Sequence, residues 1–598
     1  MFSRMSDRPS TPAFPLKYPR WHYAALGFII LVGLGLRFWQ LAAKPLWLDE
    51  VIAALFVLGR QLQDVPLNTA FPLSDLANLF AYRPQVSCAQ IAQTVATQSV
   101  HPPLFFCGLY RWMGWLTPLT DNWVWALRSL PALLGVAMIP ALYWLGRRAI
   151  SPRVGLVSAA LVSVSPFAVY LSQEARHYTL PMLLTTLSLI ALVQLQQDMA
   201  GGRSLCRWAL GIWVSLNILG LYVHYFFLLI LIAQVVALGG WLVGRSRQTP
   251  GLLRRYGLTL TLAVVVVGVA YLPWLPTLLG HFGRPETDWL EPYKPDWRDR
   301  VAPAYQLVMG WVLMAIALPV ENQPWAIAVP AAVMMLIFGV WIGWRVGRGL
   351  ATQWQQTAAA DSLMLIGGVV LTVILEFLGI VYLLNKDVTA VPRYNFVYYP
   401  GMVILLGTGL SAVGQVSRGE AMPFPRNLFR SPPVVATLLV GLLSSVLVVQ
   451  GIVFQKGYYP HRVAQDMAFE PETPVMVAVS YQSLQEVALG LSFALELQKI
   501  ERQRGNAPTS PPSANFVFIR REGGFNQVWR DLAKTDHSLP LPLNLWAIAS
   551  PGMKTKDYPP KLNLRRPGRR GRVACPIDPD RFNRIGFPYQ LFRCDTSR

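Results

Sequence analysis

The chain has 598 residues, of which 53% are hydrophobic and only 14% are charged. Soluble domains usually carry about 25% charged residues, so this composition excludes a single water-soluble globule. The formal net charge of +21 would suit a nucleic-acid-binding protein, but much of it stands in short clusters at the ends of apolar blocks. Such clusters are typical of membrane topology signals. We therefore expect an α-helical multi-pass membrane protein with no nucleic-acid partner.

Eleven apolar blocks have the length that an α-helix needs to cross a bilayer. The basic clusters beside them place the N-terminus in the cytoplasm and the C-terminus outside. The first block contains Arg37 and is too long for a signal-peptide core, so we expect it to stay uncleaved. The predicted spans are residues 23–43, 123–145, 154–171, 178–194, 208–222, 226–243, 258–279, 325–344, 363–384, 396–410 and 434–454.

Two further apolar blocks, 102–119 and 304–318, are predicted to lie along the outer interface. If the first of them crossed the bilayer, Arg147, Arg148 and every later basic cluster would be on the wrong side. The first block then belongs to a long outer loop, residues 44–122, with juxtamembrane helices. This loop is part of a membrane domain at 23–455, which follows a cytoplasmic tail at 1–22.

After residue 456 the hydrophobicity falls, which indicates an extracytoplasmic domain at 456–598. Its pattern predicts a small α/β or α+β domain with a linker rich in Pro and Ser at 508–513. Cys575 and Cys594 either form a disulfide in an oxidising compartment or stay unpaired thiols. The predicted strands cover residues 475–479, 516–519 and 545–548. An amphipathic helix is predicted between the first two strands, at residues 484–503. The basic tract 565–572 is expected to be a solvated loop near anionic lipid head groups.

Unusual polar residues collect on the predicted outer side. Each has an ordinary structural explanation, such as a carboxylate that complements a helix N-terminus or a proline that starts a helix. Their joint position on one side makes a shared site the better interpretation. These residues are Asp49, Glu50, His101, Glu174, Arg176, Tyr178, Lys386, Arg393 and Tyr394.

Arg128 and Glu376 fall inside predicted spans, where a charge is costly and indicates a function. Arg128 is near the outer end of its span and is able to snorkel to the interface. Glu376 lies deeper, and the sequence does not select a partner for it.

Several motifs together resemble the GT-C glycosyltransferases, and most of all the protein O-mannosyltransferase-like group with its bacterial relatives that use polyprenyl-phosphate sugars. The resemblance covers roughly residues 30–240 and implies eleven to thirteen spans and a site at the outer membrane face. Some bacterial relatives carry an aspartate where this chain reads QEAR at 173–176, which leaves the identity of the second carboxylate open. The motifs are the acidic pair at 49–50, HPPL at 101–104, LRSLPALLG at 127–135, GRR at 146–148 and SPFAVYLSQEARHYTL at 165–180.

The resemblance and the chemistry of sugar transfer predict roles for these residues. Asp49 and Glu50 are the predicted catalytic pair, with Asp49 as the base that accepts the proton of the attacking hydroxyl. Arg393 is the first candidate for the cation that stabilises the phosphate leaving group, with Lys386 and Arg176 as alternatives. Glu50, Glu174 and His101 are expected to position the acceptor, the sugar or the loop, and Tyr178 and Tyr394 to contact substrate.

No metal site is predicted, although a divalent cation between Asp49 and Glu174 is kept as an alternative. The expected reaction is an inverting transfer of a sugar from a polyprenyl-phosphate donor to a hydroxyl of a lipid, glycan or protein. The expected place is the outer face of the plasma (inner) membrane. The rival interpretations are a transporter or lipid flippase, a glycan polymerase or ligase, and a membrane scaffold whose outer domain is the active part.

Overall fold

A computed structural model of the protein describes residues 19–284, 290–291, 296–355, 357–412, 431–504, 514–549, 553–566 and 571–595. Most of the expected cytoplasmic tail, the linker 508–513 and the centre of the basic tract lie outside the described residues. Helices form the membrane part, and a β-sheet organises the C-terminal part.

The helices up to the middle of the membrane part are α1 Arg20–Phe38, α2 Leu48–Val57, α3 Leu76–Leu79, α4 Cys88–Gln98, α5 Leu104–Leu116, α6 Trp123–Ala149, α7 Pro152–Ser163, α8 Pro166–Ser172, α9 Thr179–Ala200, α10 Arg207–Leu221 and α11 Phe227–Ser246. The later helices are α12 Leu252–Tyr271, α13 Leu275–His281, α14 Trp297–Leu313, α15 Trp325–Trp354, α16 Thr357–Leu384, α17 Tyr399–Ala412, α18 Pro432–Val449, α19 Pro460–Met467, α20 Leu484–Arg504 and α21 Phe525–Leu532.

Eight helices in the described part of the chain are long and apolar enough to cross a membrane: α1, α6, α9, α11, α12 with its continuation to His281, α15, α16 and α18. The pair α7 and α8 forms a ninth candidate, bent by 58° at the break between them. The apolar helices α10 and α17 are shorter, with 15 and 14 residues. Each of the eleven predicted spans coincides with one of these elements, but eleven membrane crossings stay a prediction.

The break between α7 and α8 has a local cause. Pro166 begins α8 and has no backbone N–H to continue the hydrogen bonds of α7. The Ser165 hydroxyl accepts a hydrogen bond from the backbone N–H of Ala168 and so caps α8. The bent pair ends at Ser172, immediately before the QEAR segment at 173–176.

The two interfacial blocks are the short helices α5 and α14, and neither is among the candidate spans. The predicted start of the second block at residue 304 is wrong, because α14 begins at Trp297 and ends at Leu313. Asp296 accepts hydrogen bonds from the backbone N–H groups of Arg298 and Asp299, which stabilises the first turn. The sequence pattern missed this turn because its residues are polar.

The C-terminal sheet has seven strands in the order β1-β3-β2-β4-β7-β6-β5. The neighbouring strands β3, β2 and β4 are parallel to one another, and the other pairs are antiparallel. The three strands and the helix predicted for this region are all present, within two residues of their predicted starts. The strands are β1 Phe71–Pro72, β2 Val475–Tyr481, β3 Ala514–Arg520, β4 Leu543–Ile548, β5 Lys561–Arg565, β6 Arg572–Ile585 and β7 Phe587–Cys594.

The first loop and the C-terminal part form one structure. Strand β1 of the loop pairs with β3, so that Phe71 faces Phe516 in the register. The Gln498 side chain of α20 donates a hydrogen bond to the Leu73 carbonyl at 2.6 Å, and α20 also packs against α2. The last quarter of the chain therefore supports the helix that carries the acidic pair.

Two disulfides fasten these regions. Cys575–Cys594 joins β6 to β7, which decides between the two alternatives left by the sequence. Cys88–Cys107 joins α4 to α5 in the first loop, a pairing that the sequence analysis did not predict.

Candidate active site

Asp49 lies in the first turn of α2, where a carboxylate is favoured by the helix dipole. Its Oδ2 atom is 3.6 Å from Nη2 of Arg393, and both side chains are 19% exposed. Arg393 comes from the short 3-10 helix Pro392–Val397 that precedes α17. The structure thus brings together a carboxylate and a guanidinium that are far apart in the sequence, and both side chains stay partly exposed to solvent.

Glu50, the next residue, is in a different situation. Both of its carboxylate oxygens accept hydrogen bonds from Arg128, at 2.8 and 2.7 Å, and Oε1 also accepts one from the backbone N–H of Ala175 at 2.7 Å. Arg128 donates to the backbone carbonyls of Leu41, Lys44 and Pro45 as well. The buried pair of Glu50 and Arg128 therefore joins α6, the start of the first loop and the QEAR segment. These contacts give the pair a structural role.

Arg176 lies beside Asp49 and the predicted histidine. Its Nη1 atom donates to the backbone carbonyl of Asp49 at 3.2 Å, and its Nη2 atom is 3.4 Å from Nε2 of His101. Because a guanidinium only donates hydrogen bonds, Nε2 of His101 is the acceptor. Nδ1 of His101 then carries the hydrogen and donates to the Ser99 hydroxyl at 2.9 Å.

Glu174 is paired with a residue that the sequence analysis used only as a domain boundary. Lys456 Nζ lies 2.5 Å from Oε1 of Glu174 and 2.8 Å from the hydroxyl of Tyr170. The same ammonium lies 3.7 Å from the centroid of the Trp47 ring. Trp47 also lies beside Arg393, whose Cζ atom is 5.2 Å from the ring centroid. We call Trp47, Asp49, Glu174, Arg176, Arg393 and Lys456 the site cluster.

Three histidines pack together next to the site cluster. The ring centroids of His177 lie 4.9 Å from His101 and 4.6 Å from His224. Burial is the main cause that lowers the pKa of all three rings, to about 3 for His224, and the positive charge of Arg176 acts in the same direction. The three rings are therefore neutral at physiological pH. They do not add positive charge to the site.

The remaining predicted contacts divide into two groups. Tyr178 and Tyr394 lie at the site: the Arg176 guanidinium is 5.8 Å from the Tyr178 ring, and Arg393 is 5.8 Å from the Tyr394 ring. Lys386 instead pairs with Glu291 at 3.0 Å. Arg393 and Arg176 contact Asp49, whereas Glu291 lies outside the site cluster, so the two arginines are the better candidates for the phosphate cation.

The residues of the site cluster do not fit a divalent cation well. Asp49 faces Arg393 and Glu174 faces Lys456, so each carboxylate already has a positive partner. Within the described ranges, no group of three or more His, Cys, Asp or Glu residues is arranged to hold a metal ion. We therefore derive no step through a metal.

Glu376 lies in α16 and is half-buried. Neither of its carboxylate oxygens has a hydrogen-bond partner among the residues that the structure describes. Glu376 stays outside the site cluster.

The sequence analysis missed Trp47, Lys456, His177 and His224. Trp47 lies two residues before Asp49, and His224 stands in an outer turn, so their positions were visible but had no partner in the sequence. Lys456 is seven residues beyond the end of α18, and the sequence does not indicate a partner for it. Only the fold shows that it returns to Glu174.

The site cluster has the groups that a displacement at a sugar carbon requires. Asp49 is a partly exposed carboxylate able to accept a proton from a hydroxyl. Arg393 and Arg176 supply guanidinium groups, whose planar donors match phosphate oxygens. Glu174 and Arg176 lie between the apolar helices α8 and α9, and Arg393 lies just before α17, so the cluster stands at the ends of apolar helices.

No family model and no curated protein matches the sequence. Among solved structures, the chain is similar to ArnT from Cupriavidus metallidurans bound to undecaprenyl phosphate, with 13% identity, a TM-score of 0.47 and coverage of 96% of this chain and 97% of that chain. It is also similar to the archaeal oligosaccharyltransferase AglB from Archaeoglobus fulgidus in complex with an inhibitory peptide and a dolichol-phosphate, with 12% identity, a TM-score of 0.43 and coverage of 77% and 62%. At this level of identity, the role of each residue has to be argued from the geometry above.

Proposed function

We propose that the protein is a membrane glycosyltransferase that moves a sugar from a polyprenyl-phosphate donor to a hydroxyl acceptor. The observation that carries the proposal is the pair of Asp49 and Arg393, 3.6 Å apart and partly open at one end of an apolar helical bundle. The lipid class of the donor comes from the sequence resemblance at residues 30–240. The sugar and the acceptor, which is a lipid, glycan or protein, are left open.

Asp49 is the proposed general base. A hydroxyl group is a poor nucleophile, and a carboxylate within hydrogen-bond reach accelerates its attack by accepting the proton. The backbone carbonyl of Asp49 is held by Arg176, which fixes this first turn of α2. A single displacement at the anomeric carbon inverts its configuration.

Arg393 and Arg176 are the proposed phosphate ligands. As the bond between the anomeric carbon and the phosphate oxygen breaks, negative charge grows on the phosphate. A fixed cation in a partly dry site stabilises this charge more than it stabilises the ground state. Nε of Arg393 and Nε of Arg176 are buried without a hydrogen-bond partner among the described residues, so each guanidinium has a donor left for a ligand.

The same end of the bundle is proposed to face the outside of the plasma (inner) membrane. Disulfides form and persist in oxidising compartments and are rare in the cytosol. Cys88–Cys107 lies in the first loop, and Cys575–Cys594 lies in the sheet that this loop joins. Both bonds are therefore on the side of the site cluster, which supports this orientation.

The test is Asp49→Asn, assayed in membranes with a panel of polyprenyl phosphates that carry radiolabelled sugars. We expect transfer to fall by about 10²- to 10⁴-fold, the usual contribution of a general base. Asp121→Asn is the matched control, because Asp121 is an exposed carboxylate just before α6. Transfer by Asp49→Asn at the control rate would overturn the proposal.

A lipid flippase is the second candidate, and Glu376 is the observation that favours it. A carboxyl group inside a membrane helix usually marks a transport or proton pathway. If the protein were a flippase, Glu376→Gln would stop the movement of labelled lipid across reconstituted vesicles, and Asp49→Asn would not. The proposed transferase predicts the opposite ranking of the two variants in the transfer assay.

A further inference from the structure

Lys456 has no free donor in the site cluster. Its ammonium donates to Glu174 at 2.5 Å and to the Tyr170 hydroxyl at 2.8 Å. It also lies 3.7 Å from the centre of the Trp47 ring, at the distance of a cation–π contact. Because an ammonium has three donors, two hydrogen bonds and one ring face occupy all of them. Lys456 is therefore held in place and is not free to bind a phosphate.

Glu174, in contrast, has half of its carboxylate unused. Oε2 of Glu174 is buried, and no residue in the described ranges is hydrogen-bonded to it. The indole Nε1 of Trp47 is buried and without a partner in the same way. A buried polar atom without a partner is unfavourable, and such atoms gather where a ligand is to be bound. An acceptor and a donor are thus left around a single lysine.

The exposure of the side chains separates two levels of the site. Asp49 and Arg393 are 19% exposed and Lys456 is 21% exposed, so these three side chains are partly open to solvent. Glu174 is 7% exposed and is the most buried of the four. The guanidinium groups suit the phosphate of the donor. The unused carboxylate oxygen repels a phosphate and suits a hydroxyl group, which is able to donate a hydrogen bond.

We propose that Lys456 is a positioning residue that orients Glu174 so that its Oε2 atom accepts a hydrogen bond from a sugar hydroxyl. The inference rests on the proposed function, because a substrate rich in hydroxyl groups is what the transferase requires. It gives the first residue beyond the membrane part a role in substrate recognition. The hydroxyl belongs either to the transferred sugar or to a glycan acceptor.

The alternative that Lys456 leaves Glu174 and binds the phosphate is energetically worse. Removing one partner of a buried ion pair leaves an uncompensated buried charge, which is strongly unfavourable. Arg393 and Arg176 already provide two cations for the phosphate without any such loss. The pair of Lys456 and Glu174 therefore stays intact when the donor binds.

The first test compares Lys456→Met and Lys456→Arg with Lys534→Met, a control at an exposed surface pair. Without the ammonium, Glu174 loses the hydrogen bond that holds its Oε1 atom. We expect KM for the substrate that carries the hydroxyl to rise about 10-fold in Lys456→Met while kcat changes less, and KM to return toward the native value in Lys456→Arg. A loss of kcat with an unchanged KM would overturn the proposal.

The second test uses undecaprenyl-phosphate hexoses that lack one ring hydroxyl at a time. We expect one deoxy donor to lower kcat/KM about 10-fold or more with the native protein and to have little effect with Glu174→Gln. If a deoxy acceptor glycan instead lowers kcat/KM with the native protein but not with Glu174→Gln, the hydroxyl belongs to the acceptor. If every deoxy compound lowers kcat/KM equally in both proteins, the proposal is wrong.

A third measurement separates this inference from the proposed function, because it requires no transfer. Purified protein is treated with acetic anhydride over a range of pH, and acetylation of Lys456 is followed by mass spectrometry. We expect Lys456 to react several-fold faster in Glu174→Gln than in the native protein. Equal reactivity would overturn the pair, whereas normal transfer by Asp49→Asn would overturn only the proposed function.

Discussion

Asp49 and Glu50 are neighbours in one helical turn, and their environments are opposite. Successive residues of an α-helix point about 100° apart, so the two side chains point in different directions. Glu50 points into the protein, and Asp49 points to the partly exposed side of the site cluster. Glu50 receives three hydrogen bonds and is buried, whereas Asp49 has one basic neighbour at 3.6 Å and is partly exposed. A fully paired carboxylate holds a structure together, and a partly paired one remains able to accept a proton.

The largest expected effect comes from breaking the buried pair. Glu50→Gln leaves the Arg128 guanidinium without its charge partner, which we expect to destabilise the protein by about 3–5 kcal/mol. Asp49→Asn, next to it, is expected to change stability by less than about 1 kcal/mol. Thermal unfolding of the detergent-solubilised proteins measures both.

A double replacement sharpens this result. Glu50→Leu combined with Arg128→Met removes both charges, and we expect it to be more stable than either single variant. If Glu50→Gln unfolds at the native temperature and yet loses transfer, Glu50 takes part in the chemistry. The contrast between the two carboxylates would then be wrong.

The next effect concerns the cation on the open side. Arg393→Gln removes a charged hydrogen-bond donor to the phosphate, which is worth about 1.5–3 kcal/mol. We therefore expect kcat/KM for the polyprenyl-phosphate donor to fall roughly 10- to 150-fold. Arg111→Gln, an exposed arginine of α5, is the control. Donor kinetics of Arg393→Gln that match the control would remove Arg393 from the phosphate site.

The smallest expected effect is the pH dependence of stability that the buried histidines cause. Burial lowers the pKa of His101, His177 and His224 below the unfolded value near 6.5. The folded protein then binds fewer protons than the unfolded chain, so their contribution is present above pH 6.5 and is lost as the pH falls below it. Each histidine is expected to lower stability by up to about 1.4 kcal/mol per pH unit in that range.

The measurement is the unfolding temperature between pH 7 and pH 5 for the native protein and His177→Gln. We expect the unfolding temperature to fall less steeply with decreasing pH in His177→Gln than in the native protein. His461→Gln, at a largely exposed ring, is the control and should keep the native slope. An equal slope in His177→Gln would show that His177 is protonated in the folded protein.

Much of the arrangement follows from local sequence patterns. The eleven apolar blocks, the two interfacial helices and the strands after residue 475 were visible because hydrophobic periodicity is a local property. That Asp49, Arg393 and Arg176 lie near one another was predicted because the charge pattern placed all three loops on the same side of the membrane. Placing loops by charge needs no knowledge of how the helices pack.

The partners of individual charges were not visible. The sequence allows Arg128 either a functional role or a snorkelling position, and only the structure pairs it with Glu50, 78 positions earlier. Lys456 was treated as the start of a domain, although it returns to Glu174, far back in the chain. Such pairs depend on which helix faces touch, and a single sequence does not fix that. The short strand β1 was missed for a different reason: two residues are too few to show a hydrophobic periodicity.

The pairing of β1 with β3 has a consequence for how the protein is made. Roughly 450 residues separate Phe71 from Phe516, and synthesis at about 5–20 residues per second takes roughly 20–90 s over that stretch. During this interval the first loop has no partner strand. A chain that stops early therefore bears Asp49 on a helix that lacks its C-terminal support.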